Sequence, residues 1–211
     1  MIAFDKNAPG GGVSAECRME NGKVILEWLT VLTQIDFRGV IYIRLLDQSG
    51  ELVLEGMQAS DEEEPLVSVL LQPHLWAGPE NPYLYQLEAI LEDRQGNEID
   101  RVGRLFPLRC VELRRIPGED AEKIFLNGAC FAPKVIEYSG CILEDLERVL
   151  ALGANCICRS EVSQLPVEVA EFCERNGLLT VVHTPGKLSV GGKLFSVDKD
   201  RSLEDYLGKI P

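Results

Sequence analysis

The first half of the chain is a series of short β-branched and aromatic segments separated by turn residues. The first two are residues 23–29, which follow the turn pair Asn21-Gly22, and residues 40–46. The others are residues 51–55, 65–71, 83–91, 99–102 and 105–113. About seven short strands at this spacing, with no good helix among them, predict an antiparallel β-sandwich of the immunoglobulin-like type.

The pattern changes near residue 118. The pair Asn127-Gly128 between apolar residues predicts a tight hairpin. Residues 144–152 and 167–176 then carry apolar side chains at helical spacing, and a glycine follows the end of each. The apolar runs 155–158 and 178–182 are typical of strands in a parallel sheet. Strands that alternate with helices predict an α/β domain.

Three segments follow from these patterns. We predict a flexible N-terminus at residues 1–12, a sandwich at residues 13–116 and a truncated α/β domain at residues 117–211.

The last residues of the chain are expected to form a strand at Lys193–Val197 and a short helix at Ser202–Leu207, with Ser202 as its cap. Three parallel strands with two helices leave an open sheet edge and an uncovered apolar face. We expect residues 187–211 to supply part of the cover. Otherwise a second copy of the chain should pair with the sheet in a two-fold dimer.

Charge and apolar content limit the partners. The net charge of -13, with a pI near 4.7, argues against nucleic acids and anionic membranes. No segment approaches the roughly 18 apolar residues of a spanning helix, and residues 1–12 do not resemble a secretory signal. Seven cysteines cannot all pair within one chain, which favours reduced thiols and a cytoplasmic location.

The cysteines and histidines of the second half allow several chemistries. Cys156 and Cys158 alternate onto one face of a predicted strand, and His183 closes the next, so a thiolate-imidazole metal site is conceivable. A nucleophile pair of Cys158 with His183, or an acid/base pair of Glu161 with His183, are further alternatives. Because Cys-x-Cys in a buried strand is typical of small apolar packing, we predict no metal ion at this site. No cofactor and no catalytic residue are predicted for the chain.

Five segments carry a family resemblance in the correct order and spacing. They are residues 75–85 (LWAGPENPYLY), Gly96 with Asp100, residues 125–128 (FLNG), residues 145–155 and residues 171–178. Over roughly residues 15–183 the chain resembles glycoside hydrolase family 2, the family of β-galactosidases and β-glucuronidases. The resemblance implies an immunoglobulin-like sandwich followed by the first strands of a (β/α)8 barrel.

The resemblance also implies a reaction that this chain is not expected to perform. Family 2 enzymes cleave glycosides with two glutamates on later barrel strands than the three that this chain matches. At the second strand, where the family places an Arg and a His that help to hold the sugar, this chain has Cys158 and Glu161. Arg159 lies one residue late, which turns it to the opposite strand face.

Three residues remain as candidate substrate-binding residues: Trp76, Arg159 and Glu161. For Trp76 two interpretations are open. With Pro79 and Pro82 it belongs to a rigid extended segment that packs the indole onto the sandwich, or its ring stacks on a sugar.

Three hypotheses for function follow. The first is a non-catalytic, truncated relative of family 2 glycosidases that acts as a binding or assembly module, with homodimerisation through the open edge or face of the α/β domain. The second is a fragment or subunit of an active glycosidase whose catalytic glutamates lie outside this chain. The third is a carbohydrate-binding sandwich that uses Trp76 and Tyr83.

Overall fold

Asn21 and Gly22 form the first hairpin turn, because both adopt the positive φ angles, 50° and 76°, that a tight turn between twisted strands requires. They join β1 (Val13–Glu20) to β2 (Lys23–Thr30) in an antiparallel pair. A short 3-10 helix, Pro9–Gly12, precedes β1.

The computed structural model describes residues 2–34, 36–118, 122–138, 143–160 and 166–207. The chain forms two compact units. The first comprises Met1–His74 and Leu84–Leu108, and the second comprises Leu75–Tyr83 and Arg109–Pro211.

The first unit consists of two antiparallel sheets. Its five further strands are β3 (Val40–Leu46), β4 (Leu52–Ala59), β5 (Leu66–Leu70), β6 (Tyr85–Glu92) and β7 (Glu98–Phe106). One sheet has the order β1-β2-β5 and the other β4-β3-β6-β7. Alternate residues of the central strands are buried, and the Trp28 ring lies 5.7 Å from that of Phe106 on the other sheet. The sheets therefore pack face to face through their apolar sides.

Two of the hairpins in this unit are built in the same way. In the β3–β4 turn, the Asp47 carboxylate accepts hydrogen bonds from the backbone N–H groups of Ser49 and Glu51, and Asp93 does the same in the β6–β7 turn. A hydrogen bond from the Ser49 hydroxyl is the main reason that the pKa of Asp47 lies below its usual value. Such aspartate turns set the strand register from local sequence.

The first half of the chain consists of β-strands, as predicted, but the observed strands differ from the predicted ones in two places. Strand β1 was not expected. The two expected strands at 99–102 and 105–113 are instead one continuous β7 and a separate strand, β8 (Val111–Arg115), which belongs to the second unit.

The second unit begins with a small antiparallel sheet. It has the order β10-β9-β8, where β9 is Glu122–Leu126 and β10 is Ala129–Cys130. The predicted turn Asn127-Gly128 joins β9 to β10, again with two positive φ angles, 52° and 82°. The hairpin prediction is confirmed.

A strand-helix-strand-helix-strand segment follows. Its elements are β11 (Val135–Glu137), α1 (Leu143–Ala151), β12 (Cys156–Ser160), α2 (Val167–Asn176) and β13 (Leu179–Thr184). Strands β11, β12 and β13 are parallel neighbours. Leu146 of α1 and Val169 of α2 share a buried cluster with Ile157 of β12, so both helices cover the same face of the sheet. Both helices occur where periodicity predicted them, whereas the three-residue β11 was not predicted.

The sheet continues with a different polarity. Strand β14 (Lys187–Val190) pairs antiparallel with β13, and β15 (Lys193–Ser196) pairs antiparallel with β14. A short helix, α3 (Glu204–Leu207), comes last, and its Tyr206 and Leu207 are buried. Within the part of the chain that the structure describes, parallel pairing is thus limited to β11–β13.

The expected strand and helix near the end of the chain are confirmed. The hydrogen bonds at the start of this helix run in the opposite direction to the expected serine cap. The Asp205 carboxylate accepts hydrogen bonds from the Ser202 backbone N–H at 2.7 Å and from the Ser202 hydroxyl at 3.1 Å. This is the half of a capping box that the acidic residue supplies.

The buried residues of the terminal hairpin should hold it on the sheet. Leu188 of β14 is 0% exposed and Leu194 of β15 is 62% exposed. We expect Leu188→Ala to lower the free energy of unfolding by about 2–5 kcal/mol, because it removes buried methyl groups and leaves a cavity. Leu194→Ala is the matched control and should change it by less than about 0.5 kcal/mol. Urea denaturation of both variants measures this, and equal effects would mean that the hairpin does not pack on β13.

Candidate functional site

The carboxyl ends of the parallel strands β11, β12 and β13 are the candidate site, because α/β sheets generally bind ligands outside this end of their strands. Tyr138, Arg159 and His183 lie here at the ends of the three strands. Residues 139–142 and 161–165, which follow β11 and β12, are not among the described residues. Glu161, and with it the acid/base pair with His183, therefore lies outside the described residues.

Arg159 faces the helix-covered side of the sheet. It alternates with Cys158 along β12 and shares its side with Ile157, which packs against α1 and α2. Its guanidinium carbon lies 5.8 Å from the ring centre of Tyr138, a member of the same cluster. The sequence-based expectation that Arg159 points to the opposite face from Cys158 agrees with this geometry.

On the other face, His183 of β13 lies beside the last helix. Its ring centre is 6.3 Å from that of Tyr206 in α3. Neither His183 Nε2 nor the Tyr206 hydroxyl has a hydrogen-bond partner among the described residues, although both atoms are buried. Burial raises the pKa of Tyr206. The two rings fill the space next to the end of β13.

The strand cysteines are neutral thiols. Burial raises the pKa of Cys158 to about 11, with a smaller contribution from the Glu137 carboxylate, and burial raises the pKa of Cys156 far above its usual value. A neutral thiol is a poor nucleophile and a poor metal ligand. The described residues contain no group of three or more side chains able to hold a metal ion. Neither the Cys158–His183 pair nor the metal site gains support from this geometry.

Two other cysteines differ from expectation. Cys130, Cys156, Cys158 and Cys173 are free thiols, whereas Cys17 and Cys110 are disulfide-bonded. The expectation of reduced cysteines therefore holds for the first four and is wrong for Cys17 and Cys110.

Trp76 is not at the candidate site. Its side chain is 0% exposed, and its indole N–H donates a 2.8 Å hydrogen bond to the backbone oxygen of Glu174 in α2. The Arg109 guanidinium lies 4.6 Å above the ring. The ring is buried, which agrees with the interpretation of Trp76 as a packing residue, and it offers no face to a sugar. Its hydrogen-bond partner and its stacking partner both belong to the second unit.

Arg109 joins three parts of the second unit. Besides its stacking on Trp76, its Nη2 donates a 2.7 Å hydrogen bond to the Gly191 oxygen and lies 3.6 Å from a Glu174 carboxylate oxygen. A side chain at Gly191 would meet the Arg109 guanidinium at 2.6 Å, so this approach requires glycine. The sequence patterns did not identify Arg109, because a single arginine after β7 carries no periodic or motif signal.

A cavity of about 590 Å³ lies at the opposite end of the sheet. Lys134 and Asn155, which line it, come immediately before β11 and β12. The Asn155 amide already bonds to the Lys134 N–H and the Ala132 oxygen, and the Asn127 amide bonds to the Cys110 N–H and the Trp76 oxygen. These amides hold loops in place.

Comparison with known proteins identifies the first part of the chain. Residues 14–109 match the model for glycosyl hydrolases family 2, and this segment belongs to that family. No curated protein sequence matches the chain. Among the described residues, no helix has the length and apolar character needed to cross a membrane.

Solved structures share the fold. A β-glucuronidase from Ruminococcus gnavus in complex with D-glucuronic acid has 21% sequence identity and a TM-score of 0.66, over 88% of this chain and 30% of that one. The same enzyme with an N1-substituted uronic isofagomine has 20% sequence identity and a TM-score of 0.68, over 88% of this chain and 31% of that one. A Bacteroides fragilis structure assigned as a β-galactosidase has 19% sequence identity and a TM-score of 0.65, over 85% of this chain and 29% of that one. The chain therefore spans about a third of the length of these proteins.

The role of Arg109 can be tested by removing its charge. We expect Arg109→Met to lower the free energy of unfolding by about 1.5–3 kcal/mol, because it removes a charged hydrogen bond from a buried site. The control is Arg114→Met, since Arg114 forms an exposed pair with Glu112, and its removal should lower the free energy of unfolding by less than Arg109→Met does. Chemical denaturation compares the two, and an equal loss would contradict a central role for Arg109.

The state of the thiols predicts their reactivity. At pH 7.5 iodoacetamide should modify exposed Cys130 in the native protein, while Cys156, Cys158 and Cys173 stay unmodified until the protein unfolds. Burial is the physical reason in all three cases. Peptide mass spectrometry reports each site separately, and fast modification of Cys158 would revive the nucleophile alternative.

Proposed function

We propose that this chain is a non-catalytic relative of family 2 glycosidases that acts as a binding or assembly module, and that its second unit corresponds to the first three strands of a catalytic barrel. The observation that carries the proposal is the pairing of β14 with the outer edge of β13. The family match of residues 14–109 supports the ancestry.

In a (β/α)8 barrel the third strand is hydrogen-bonded on one side to the second strand and on the other to the fourth, both parallel to it. In this chain β13 pairs parallel with β12, and its other edge pairs antiparallel with Lys187–Val190. A fourth barrel strand would form hydrogen bonds with the outer backbone N–H and C=O groups of β13, and β14 already occupies these groups. This supports a unit that is closed by its own hairpin.

The residue at the sugar-binding position also supports the proposal. Cys158 stands where the family resemblance implies an arginine, and its pKa of about 11 leaves it uncharged. Arg159 cannot replace that arginine from its position on the helix-covered face beside Tyr138. The chain thus lacks the cation that would hold a sugar oxygen or carboxylate at this strand.

The last helix occupies space beside the candidate site. Tyr206 lies against His183, and Leu203 and Leu207 are buried with it. Buried apolar side chains at this place favour a structural role over a binding cleft.

An alternative is that the chain is part of an active glycosidase whose glutamates lie outside it. The favouring observation is the fold likeness to β-glucuronidase structures of which this chain covers 30%. This alternative requires β14 to leave the edge of β13 and α3 to move, so that further strands can pair there.

A carbohydrate-binding sandwich is the second alternative. Of its two candidate residues only Tyr83 remains, because Trp76 is buried, and Tyr83 is half-buried and belongs to the second unit. Binding on a glycan array that is lost in Tyr83→Ala, without unfolding, would support it.

Assembly through the α/β unit remains part of the proposal. The outer strands of its five-stranded sheet are β11, with three residues, and β15, with four. Both are short for pairing with a second copy. A cytoplasmic location is likewise proposed; the four free thiols support it, whereas the disulfide-bonded state of Cys17 and of Cys110 opposes it.

The chain alone should not hydrolyse 4-nitrophenyl galactoside or glucuronide above the buffer rate, while an active family 2 enzyme in the same plate does. Hydrogen exchange supplies the second measurement. The amides of Leu188–Val190 should be as protected as those of β13, because they are bonded to that strand. Turnover would overturn the proposal, and exchange of β14 at loop rates would favour the alternative of a displaced hairpin.

A further inference from the structure

Strand β5 is an outer strand of one sheet in the first unit, and its Leu66 side chain lies close to Gly56 of β4. It pairs with β2 on one side, and the sheet order β1-β2-β5 leaves its other side without a strand partner among the described residues. Its outward-facing side chains are apolar: Val67 is 53% exposed and Val69 is 50% exposed, and Leu71, just after the strand, is 61% exposed. Together with Pro65 these residues form an exposed apolar strip, called here the β5 strip.

The other edge strands of the two sheets carry the charges that usually prevent strand association. The charged residues are Glu16, Arg18 and Glu20 in β1, Glu55 in β4, and Glu98, Asp100, Arg101 and Arg104 in β7. Strand β5, Leu-Val-Ser-Val-Leu, has none. It is the one edge of these four without a charged residue, so it is the edge at which pairing costs least.

The sequence of β5 specifies what kind of strand it can accept. Residues 66–70 read the same in both directions around Ser68. If two copies pair antiparallel about a two-fold axis at Ser68, Val67 of each copy lies opposite Val69 of the other, and Leu66 lies opposite Leu70. Side chains of equal size and polarity then meet at every position, as cross-strand pairing favours.

The flanking residues fit the same axis. The acidic run Asp61–Glu64 precedes the strand, and in this register Glu62 lies opposite His74 and Glu64 opposite Gln72 of the other copy. The two acidic runs therefore lie at opposite ends of the pair. Repulsion between them is reduced, and each run faces neutral or basic groups.

We infer that β5 is a self-association surface, and that its partner is a second copy of this chain. The pair joins two three-stranded sheets into one six-stranded antiparallel sheet and places the β5 strip of each copy beside that of the other on the same sheet face. The interface is isologous, because the same residues contribute from both sides. This surface lies in the first unit and does not depend on the loss of catalysis proposed above.

The interface consists of one short strand from each copy, so it is smaller than the roughly 1,600 Å² of a standard complex. We therefore expect a reversible dimer with a dissociation constant in the micromolar range, on the order of 10 μM. Light scattering of the intact chain should show the mass rising from 23.4 kDa towards twice that value as concentration increases.

A charge exchange tests both the surface and its register. Val67→Lys/Val69→Lys places lysines directly opposite lysines, so this variant should remain monomeric. Val67→Glu/Val69→Glu should be monomeric for the same reason. An equimolar mixture of the two should restore a dimer, because each lysine then faces a glutamate. Both residues are exposed, so circular dichroism melting curves should stay close to those of the unmodified chain.

The control is Leu194→Lys, which changes an equally exposed leucine on β15, an outer strand of the α/β unit. It should leave the dimer unchanged. A monomeric mass of the unmodified chain up to about 100 μM overturns the inference. A dimer that persists in Val67→Lys/Val69→Lys also overturns it. Loss of the dimer in Leu194→Lys overturns it as well, because the interface would then lie in the α/β unit. None of these measurements involves glycoside turnover.

Discussion

The enclosed indole of Trp76 is the contact on which the second unit depends. The indole N–H donates a hydrogen bond to the Glu174 backbone oxygen near the end of α2. The Trp76 backbone oxygen accepts a hydrogen bond from the Asn127 side chain in the β9–β10 turn, and the Arg109 guanidinium stacks on the indole ring. Arg109 in turn reaches the turn between β14 and β15 through Gly191. A helix end, two hairpins and the segment 75–83 are therefore positioned by one stacked pair. A cation over an aromatic face gains most where water is excluded, as it is here.

Close backbone packing surrounds this pair. A side chain at Gly177, the residue that ends α2, would lie 2.3 Å from the backbone of Gly78 and Pro79. Gly177 also has a φ of 76°, so it both ends the helix and allows the segment 75–83 to approach. The prolines of that segment fix an extended path. The segment 75–83, which carries one of the family 2 motifs, thus has a packing role in this structure.

Local signals predicted much of this fold, and long-range contacts account for what they missed. Asn21-Gly22, Asn127-Gly128 and the helices ending at Gly153 and Gly177 occur as expected, because turn and cap geometry depend on few residues. Strand β1 was missed although Glu16, Arg18 and Glu20 alternate with Cys17 and Met19, which is the period-two pattern of a half-buried strand. The three-residue β11 is too short for any periodicity. At the candidate site the face of Arg159 followed from alternation, whereas the enclosure of Trp76 depends on Glu174 and Arg109, which are distant in sequence.

The antiparallel hairpin on β13 has a consequence for how such chains can arise. In repeat proteins, a terminal repeat with a polar outer face ends the stack and keeps the last core layer from water. Strands β14 and β15 do the equivalent for a βα series, since Leu188 and Val190 are buried on β13 while Leu194 faces solvent. Only a turn at Thr184–Lys187 and one hairpin are needed, and all the new contacts are local in sequence. A series of parallel strands and helices can therefore end in a finished sheet after only three strands, which makes short units of this kind accessible to design.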